Sequence, residues 1–143
     1  MKSMKNVKKY WPVILCIIAI FALTMQSVSS TMGLSNFTLS LFTRFMEALG
    51  LNTADAWWND SINFRQLAHI FEFGFLGLVA GLLIKRPLPA VGICACISLA
   101  DQTLKIFVPV RHFDYVDLIF DAVGYVLAVA LIHTIRKIKH KKR

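Results

Sequence analysis

Four long apolar runs constrain this chain more than any other feature. They cover residues 12–28, 67–84, 88–108 and 115–135, and each is close to the length that an α-helix needs to cross a bilayer. A bilayer offers no water to unpaired backbone groups, so isolated segments of this length cross it as helices. We therefore predict one all-α membrane domain over residues 1–143, built as a four-helix transmembrane bundle.

Basic residues lie in short groups beside these runs. The chain has 16 Lys and Arg residues and a net charge of +8, but their placement indicates topology signals rather than a nucleic-acid site. By the positive-inside rule, the groups at both termini and at 85–86 predict that both termini are cytoplasmic. A cleaved signal peptide remains an alternative for the first run, because Lys-rich, apolar and small-residue segments follow one another up to about residue 29.

The external loop 29–66 contains a further helical pattern. Phe37, Leu41 and Phe45 recur at helical spacing, and Gly50 is expected to end the helix. We predict an amphipathic helix in the outer interface, anchored at the same depth by Trp57 and Trp58. A helix that packs over the mouth of the bundle explains the same pattern.

All eight acidic residues lie in an external loop or in the outer half of a predicted span. Charged side chains at this depth are costly and are kept where they have partners or a function. Arg65, His69 and Glu72 share one helical face, whereas Asp117 and Asp121 belong to an acidic stripe that needs cations nearby. We predict one outward-facing polar pocket, formed by Arg65, His69, Glu72, Asp101, Lys105, Arg111, Asp117 and Asp121.

Several functions fit such a pocket. It could bind an anionic or amphiphilic envelope component, with Arg111 meeting a phosphate or carboxylate in bidentate fashion. It could be an ion-pair network that only locks the helices together, or an enzyme for a lipid-linked substrate with His69 and Glu72 as acid and base. A partner subunit could instead dock on the G-x-x-x-G face at 77–81. The chain shows no nucleophile elbow or phosphate loop, and we assign no catalytic residue, cofactor or metal ion.

The polar pattern resembles the VanZ family of small bacterial membrane proteins. The resemblance covers about 65–128 and rests on Arg65, His69 and Glu72 with the run 73–77, and then on Asp101, Arg111 after Val108 and Pro109, Asp117 and Gly124. It implies a protein of the bacterial cell membrane, and the founding member confers low-level resistance to teicoplanin, a lipid-tailed glycopeptide. Membrane lipids or a lipid-linked envelope component are the expected partners, and a membrane-protein partner is possible.

The chain departs from the family pattern inside the predicted pocket. Gln102 stands where the family usually has Glu, and Phe73 and Val110 replace Tyr and Gly. Lys105 replaces Gln, and Asp121 replaces Asn. The last two changes add one cation and one anion together, so we expect them to compensate each other.

Overall fold

The described residues form helices and no strand. The computed structural model describes residues 2–25, 28–53, 61–109 and 111–141. Their five helices are α1 (Lys2–Thr24), α2 (Val28–Ala48), α3 (Ser61–Leu83), α4 (Pro87–Lys105) and α5 (Tyr115–Lys141). The all-α prediction is confirmed. The predicted interfacial anchors Trp57 and Trp58 lie outside the described residues.

Three of these helices are long and apolar enough to cross a membrane. The candidate spans are Asn63–Leu83, Pro87–Lys105 and Tyr115–Lys141, and a shorter apolar segment covers Tyr10–Thr24 of α1. The chain is therefore a multi-pass membrane protein by helix length and hydropathy. The apolar part of α1 is only about 22 Å long at about 1.5 Å per residue, so α1 as a fourth span stays a prediction.

Several helix ends differ from the predicted runs, and α3 already begins at Ser61 rather than at about 67. The first run was expected to continue to Val28, but α1 ends at Thr24 and α2 begins at Val28. The third was expected to reach Val108, but α4 ends at Lys105 and a turn precedes Pro109, which cannot donate a helical hydrogen bond. The fourth extends beyond 135 to Lys141, because the basic tail has good helix formers.

Glycines allow α3 and α5 to pack in direct backbone contact. A Cβ atom on Gly77 would lie 2.7 Å from Cα of Tyr125, and one on Gly124 would lie 2.9 Å from the backbone nitrogen of Gly74. Gly81 also faces α5, where a Cβ atom would lie 3.5 Å from Cα of Val129, an ordinary contact distance. The G-x-x-x-G face is thus covered by α5 of the same chain, and this explains the motif without a partner subunit.

The contacts between helices give their directions. Successive glycines of α3 meet successive residues of α5, so these two helices run parallel. Lys105 and Ser98 of α4 meet Asp117 and Asp121 of α5 in reverse order, so α4 runs the opposite way. Thr24 at the end of α1 contacts Asp101 near the end of α4, so α1 runs with α4. We call the end of the bundle that holds these polar contacts the polar end.

An apolar core fills the rest of the bundle below the polar end. Phe73 and Leu76 of α3 are fully buried, as are Ala90 and Cys94 of α4. They pack with Ile20 of α1 in one cluster, which α5 completes. The polar side chains are therefore held on a rigid apolar base.

The predicted amphipathic helix is present as α2. Leu49 and Gly50 form the turn that ends it, and Gly50 has a φ of 79°, a conformation that favours glycine. Phe37 and Phe45 are each more than half exposed, whereas the ring of Phe42 lies 6.1 Å from that of Phe64 on α3. The helix is confirmed, and its place in the interface stays a prediction.

Candidate functional site

His69 on α3 lies at the centre of the polar end. Its Nδ1 atom is 2.8 Å from Oδ1 of Asp121. Its Nε2 atom is 3.4 Å from Nζ of Lys105 and 3.4 Å from Oδ2 of Asp117. One imidazole thus connects α3 to both α4 and α5, and the side chain of Phe73 stacks beside it.

Lys105 is the buried cation of the site. Its ammonium group donates to Oδ2 of Asp117 at 3.0 Å and lies 3.7 Å from Oδ2 of Asp101 one helical turn earlier. The Asp101 carboxylate also accepts a hydrogen bond from the hydroxyl of Thr24. Asp101 therefore ties the end of α1 to the charged residues of α4.

Ser98 completes the surroundings of Asp121. Its hydroxyl donates to Oδ2 of Asp121 at 2.7 Å, so both oxygens of this fully buried carboxylate have partners. We refer to the six connected side chains as the buried polar cluster: His69, Ser98, Asp101, Lys105, Asp117 and Asp121. A carboxylate held on both oxygens is fixed in orientation, and it fixes the His69 ring in turn.

Arg65 and Asp114 connect this cluster to the surface. Arg65 donates to Oδ2 of Asp114 at 3.1 Å and to Oδ1 of Asp117 at 3.3 Å. The Arg65 side chain is 50% exposed and that of Asp114 is 36% exposed, whereas that of Asp117 is 3% exposed. We call Arg65 and Asp114 the rim pair, because they connect the otherwise buried polar cluster to the surface of the bundle.

Two predicted pocket residues have contacts of a different kind. Nη1 of Arg111 donates to the backbone oxygen of Thr24 at 2.9 Å, so Arg111 caps the end of α1 beside the hydroxyl that binds Asp101. Glu72 has no hydrogen bond or salt bridge with any residue that the structure describes. It faces α1 instead, in a cavity of about 310 Å³ between α1 and α3. The other six predicted residues are linked by the contacts above.

Two polar residues of the site, Thr24 and Ser98, were missed from the sequence, and both bind cluster carboxylates. Gln102, which the sequence placed inside the pocket, is fully buried with no hydrogen-bond partner for its side-chain amide among the described residues. A signal existed for Ser98, because positions 98, 101, 102 and 105 share the spacing of one helical face. Thr24 carried no such signal, since its partner is 77 residues away.

The charge balance of the cluster shapes what it can bind. Asp101, Asp117 and Asp121 are all buried, and the buried basic groups that oppose them in the described part of the chain are Lys105 and the imidazole of His69. The exposed cation Arg65 supplies the remaining positive charge from the rim. An anionic ligand is consequently favoured at the rim and disfavoured in the cluster interior. Within the described residues, no group of three or more His, Cys, Asp or Glu side chains is placed to hold a metal ion.

A bundle of apolar helices with a buried ion-pair cluster at one end defines a helical integral-membrane protein with a polar site inside the bundle. A family model described as VanZ/LLP1 matches residues 11–136. The chain therefore belongs to the VanZ/LLP1 family, and the resemblance seen in its polar residues is confirmed. No curated protein matches the chain, and no solved structure matches it.

Proposed function

We propose that this VanZ/LLP1 protein binds an amphiphilic component of the cell envelope at its polar end and thereby gives low-level protection against lipid-tailed glycopeptides such as teicoplanin. One observation carries the proposal. An unbroken chain of polar contacts runs from the half-exposed Arg65 through Asp117 to Lys105 and His69. Such a chain links a surface that a ligand can reach to groups fixed inside the bundle.

Arg65 is the residue best suited to meet the ligand. It is half exposed and shares its guanidinium between a rim carboxylate and a buried one. A phosphate or carboxylate on the ligand can replace Asp114 as the outer partner, because the planar guanidinium binds either group with two parallel hydrogen bonds. Arg111, which donates to the last backbone oxygen of α1, supplies a second cation at the same end of the bundle.

Drug susceptibility of cells tests this proposal. Cells that express the wild type are compared with cells that express Arg65→Gln, Arg111→Ala or the control Arg86→Gln, which lies in the exposed α3–α4 turn at the opposite end. Membrane levels are matched, and each strain meets teicoplanin and a glycopeptide without a lipid tail. Asp117 is less suitable for this test, because its removal leaves buried Lys105 with a weaker set of partners.

We expect the wild type and Arg86→Gln to protect only against teicoplanin. Arg65→Gln and Arg111→Ala, the two polar-end variants, should lose that protection. No protection by the correctly inserted wild type contradicts the resistance role. Protection that survives in both polar-end variants contradicts binding at the polar end. Either result favours the interpretation in which the buried polar cluster only locks the helices together.

An enzymatic function is the second candidate, and the His69–Asp121 pair favours it. A carboxylate on Nδ1 orients an imidazole for acid–base chemistry at Nε2. Lys105 and Asp117 already surround that Nε2 atom, so a substrate would have to displace one of them. Turnover of a lipid-linked headgroup by purified protein, lost in His69→Ala but kept in the packing variant Leu76→Ala, would establish the enzyme over the binder.

A further inference from the structure

The groove between α1 and α3 combines an apolar surface with one ionisable residue. Its lining on α1 is Leu15, Cys16, Ala19, Ile20 and Leu23, and its lining on α3 is Glu72 and Phe75. The cavity measures about 310 Å³ and is open on one side. Leu15 and Phe75 are each more than half exposed beside it. With α1 crossing the bilayer as predicted, the open side of this apolar groove would face the acyl chains.

Glu72 is the unusual member of this lining. It is half-buried, and no described residue forms a hydrogen bond or a salt bridge with it. The charges of His69 and Lys105 act on it without direct contact, and those of Asp101 and Asp121 oppose them. The nearest polar neighbours on its own helix, Arg65 and His69, are both engaged with aspartates of α5. A carboxyl group in an apolar groove without a partner is costly, so it calls for a donor from outside the chain.

The position of Glu72 along the groove fits a lipid headgroup. Since α1 and α3 run in opposite directions, Glu72 lies toward the Leu23 end of the groove and Phe75 toward the Leu15 end. Thr24, the next residue after Leu23, ends the apolar part of α1 and contacts the polar cluster. Glu72 is thus within about one helical turn, roughly 5 Å, of the polar end. An acyl chain that fills the groove would carry its headgroup to this level.

We infer that the α1–α3 groove binds a bilayer lipid whose headgroup carries a protonated primary amine, with the ammonium donating to Glu72 and one acyl chain lying along α1. The ammonium supplies the charge and the N–H donors that Glu72 lacks. This inference rests on the proposed function only in taking the ligand to be amphiphilic, and it names the lipid class and the residue that selects it.

Lipid binding by the purified full chain tests the inference. Delipidated protein in detergent is mixed with phosphatidylethanolamine or with phosphatidylcholine of the same acyl chains, and bound lipid is counted by native mass spectrometry. The choline headgroup keeps the positive charge but has no N–H donor, so it is the matched control. The variants are Glu72→Gln, Ala19→Phe to fill the groove, and Glu47→Gln as a matched acidic control on the exposed face of α2.

We expect the wild type and Glu47→Gln to bind phosphatidylethanolamine about tenfold more tightly than phosphatidylcholine, the usual size of one charge-assisted hydrogen bond. Glu72→Gln should lose this preference and keep weak binding of both lipids. Ala19→Phe should bind neither lipid, because its side chain fills the groove. Equal binding of the two lipids by the wild type overturns the inference, and so does an unchanged preference in Glu72→Gln. If either of these results were found while Arg65→Gln and Arg111→Ala still abolished drug protection, the inference would fail and the proposed function would stand.

Discussion

Lys105 and Asp121 carry charges at two positions where the family resemblance implies neutral residues. They were expected to compensate each other, and the structure connects them through a third residue rather than directly. Lys105 lies 3.4 Å from Nε2 of His69, and Asp121 lies 2.8 Å from Nδ1 of the same ring. The imidazole therefore couples the added cation to the added anion.

This coupling predicts a non-additive pair of substitutions. Lys105→Gln leaves Asp101 and Asp117 without their buried cation, and we expect it to lower the free energy of unfolding by about 3–5 kcal/mol. Asp121→Asn keeps an oxygen for His69 and should be milder. The double variant restores the charge balance, so it should be more stable than the sum of the single effects by about 1–3 kcal/mol. Unfolding in mixed micelles measures all four proteins, and strict additivity would show that the two charges are independent.

Gln102 is a second residue with a specific expectation. Its amide is fully buried and has no partner among the described residues. Replacing it with Met removes unsatisfied polar atoms at similar volume, so Gln102→Met should leave the melting temperature unchanged or raise it. Ser98→Ala is the contrasting variant, because it removes a 2.7 Å hydrogen bond to Asp121 and should destabilise by about 1–3 kcal/mol. A clear loss in Gln102→Met would reveal a bound partner for the amide.

Among the elements, the α3–α5 pair decides where the polar side chains meet. Gly77 and Gly124 remove the Cβ atoms that would otherwise hold the two backbones apart. This close approach sets His69 on α3 against Asp121 on α5. α4 then adds Lys105 from the side, and α1 adds Thr24 at the end. The apolar packing of α3 on α5 thus determines the geometry of the cluster.

Alanine substitutions of two glycines test this dependence. A methyl group on Gly124 would overlap the backbone of Ile70 and Gly74, so Gly124→Ala should cost about 2 kcal/mol or more and should separate α3 from α5. A methyl group on Gly92 of α4 would meet no other part of the described chain within 4 Å. Gly92→Ala should therefore be neutral or stabilise the helix by up to about 1 kcal/mol. Thermal unfolding in detergent compares the two, and equal effects would contradict the close contact.

For the whole molecule, the helix directions place the start of α1, the α3–α4 turn and the end of α5 at the end of the bundle opposite the polar end. Arg136 supports this arrangement, because it donates to the backbone oxygen of Ile84 at the end of α3. His133 likewise contacts the backbone oxygen of Lys85. The prediction that this end is cytoplasmic rests on the positive-inside rule.

Cysteine labelling in intact cells checks this topology. In a background with alanine at 16, 94 and 96, we place single cysteines by Arg86→Cys, His112→Cys and His140→Cys. A membrane-impermeant maleimide should label position 112 in intact cells, and should label 86 and 140 only after the membrane is opened. Labelling of 86 and 140 from opposite sides would mean that an odd number of crossings separates them, which excludes the predicted bundle.

The sequence by itself determined the class of the protein, three of its spans, the helix in the loop and the family. These features depend on local composition and on spacing within one helix. The thickness of the bilayer strongly constrains the length and composition of a spanning helix, so both can be read from the sequence. It also predicted that charged residues of three helices would meet at one depth, as His69, Lys105 and Asp117 do.

Only the tertiary structure decided which partner each charge takes. The sequence placed Glu72 and Arg111 in the same pocket as His69, but the rotation of α3 turns Glu72 toward α1, and Arg111 caps that helix. Thr24 enters the site across 77 residues of chain. Such choices depend on how helices rotate and approach one another in packing, and that is a property of side-chain volumes on several helices at once.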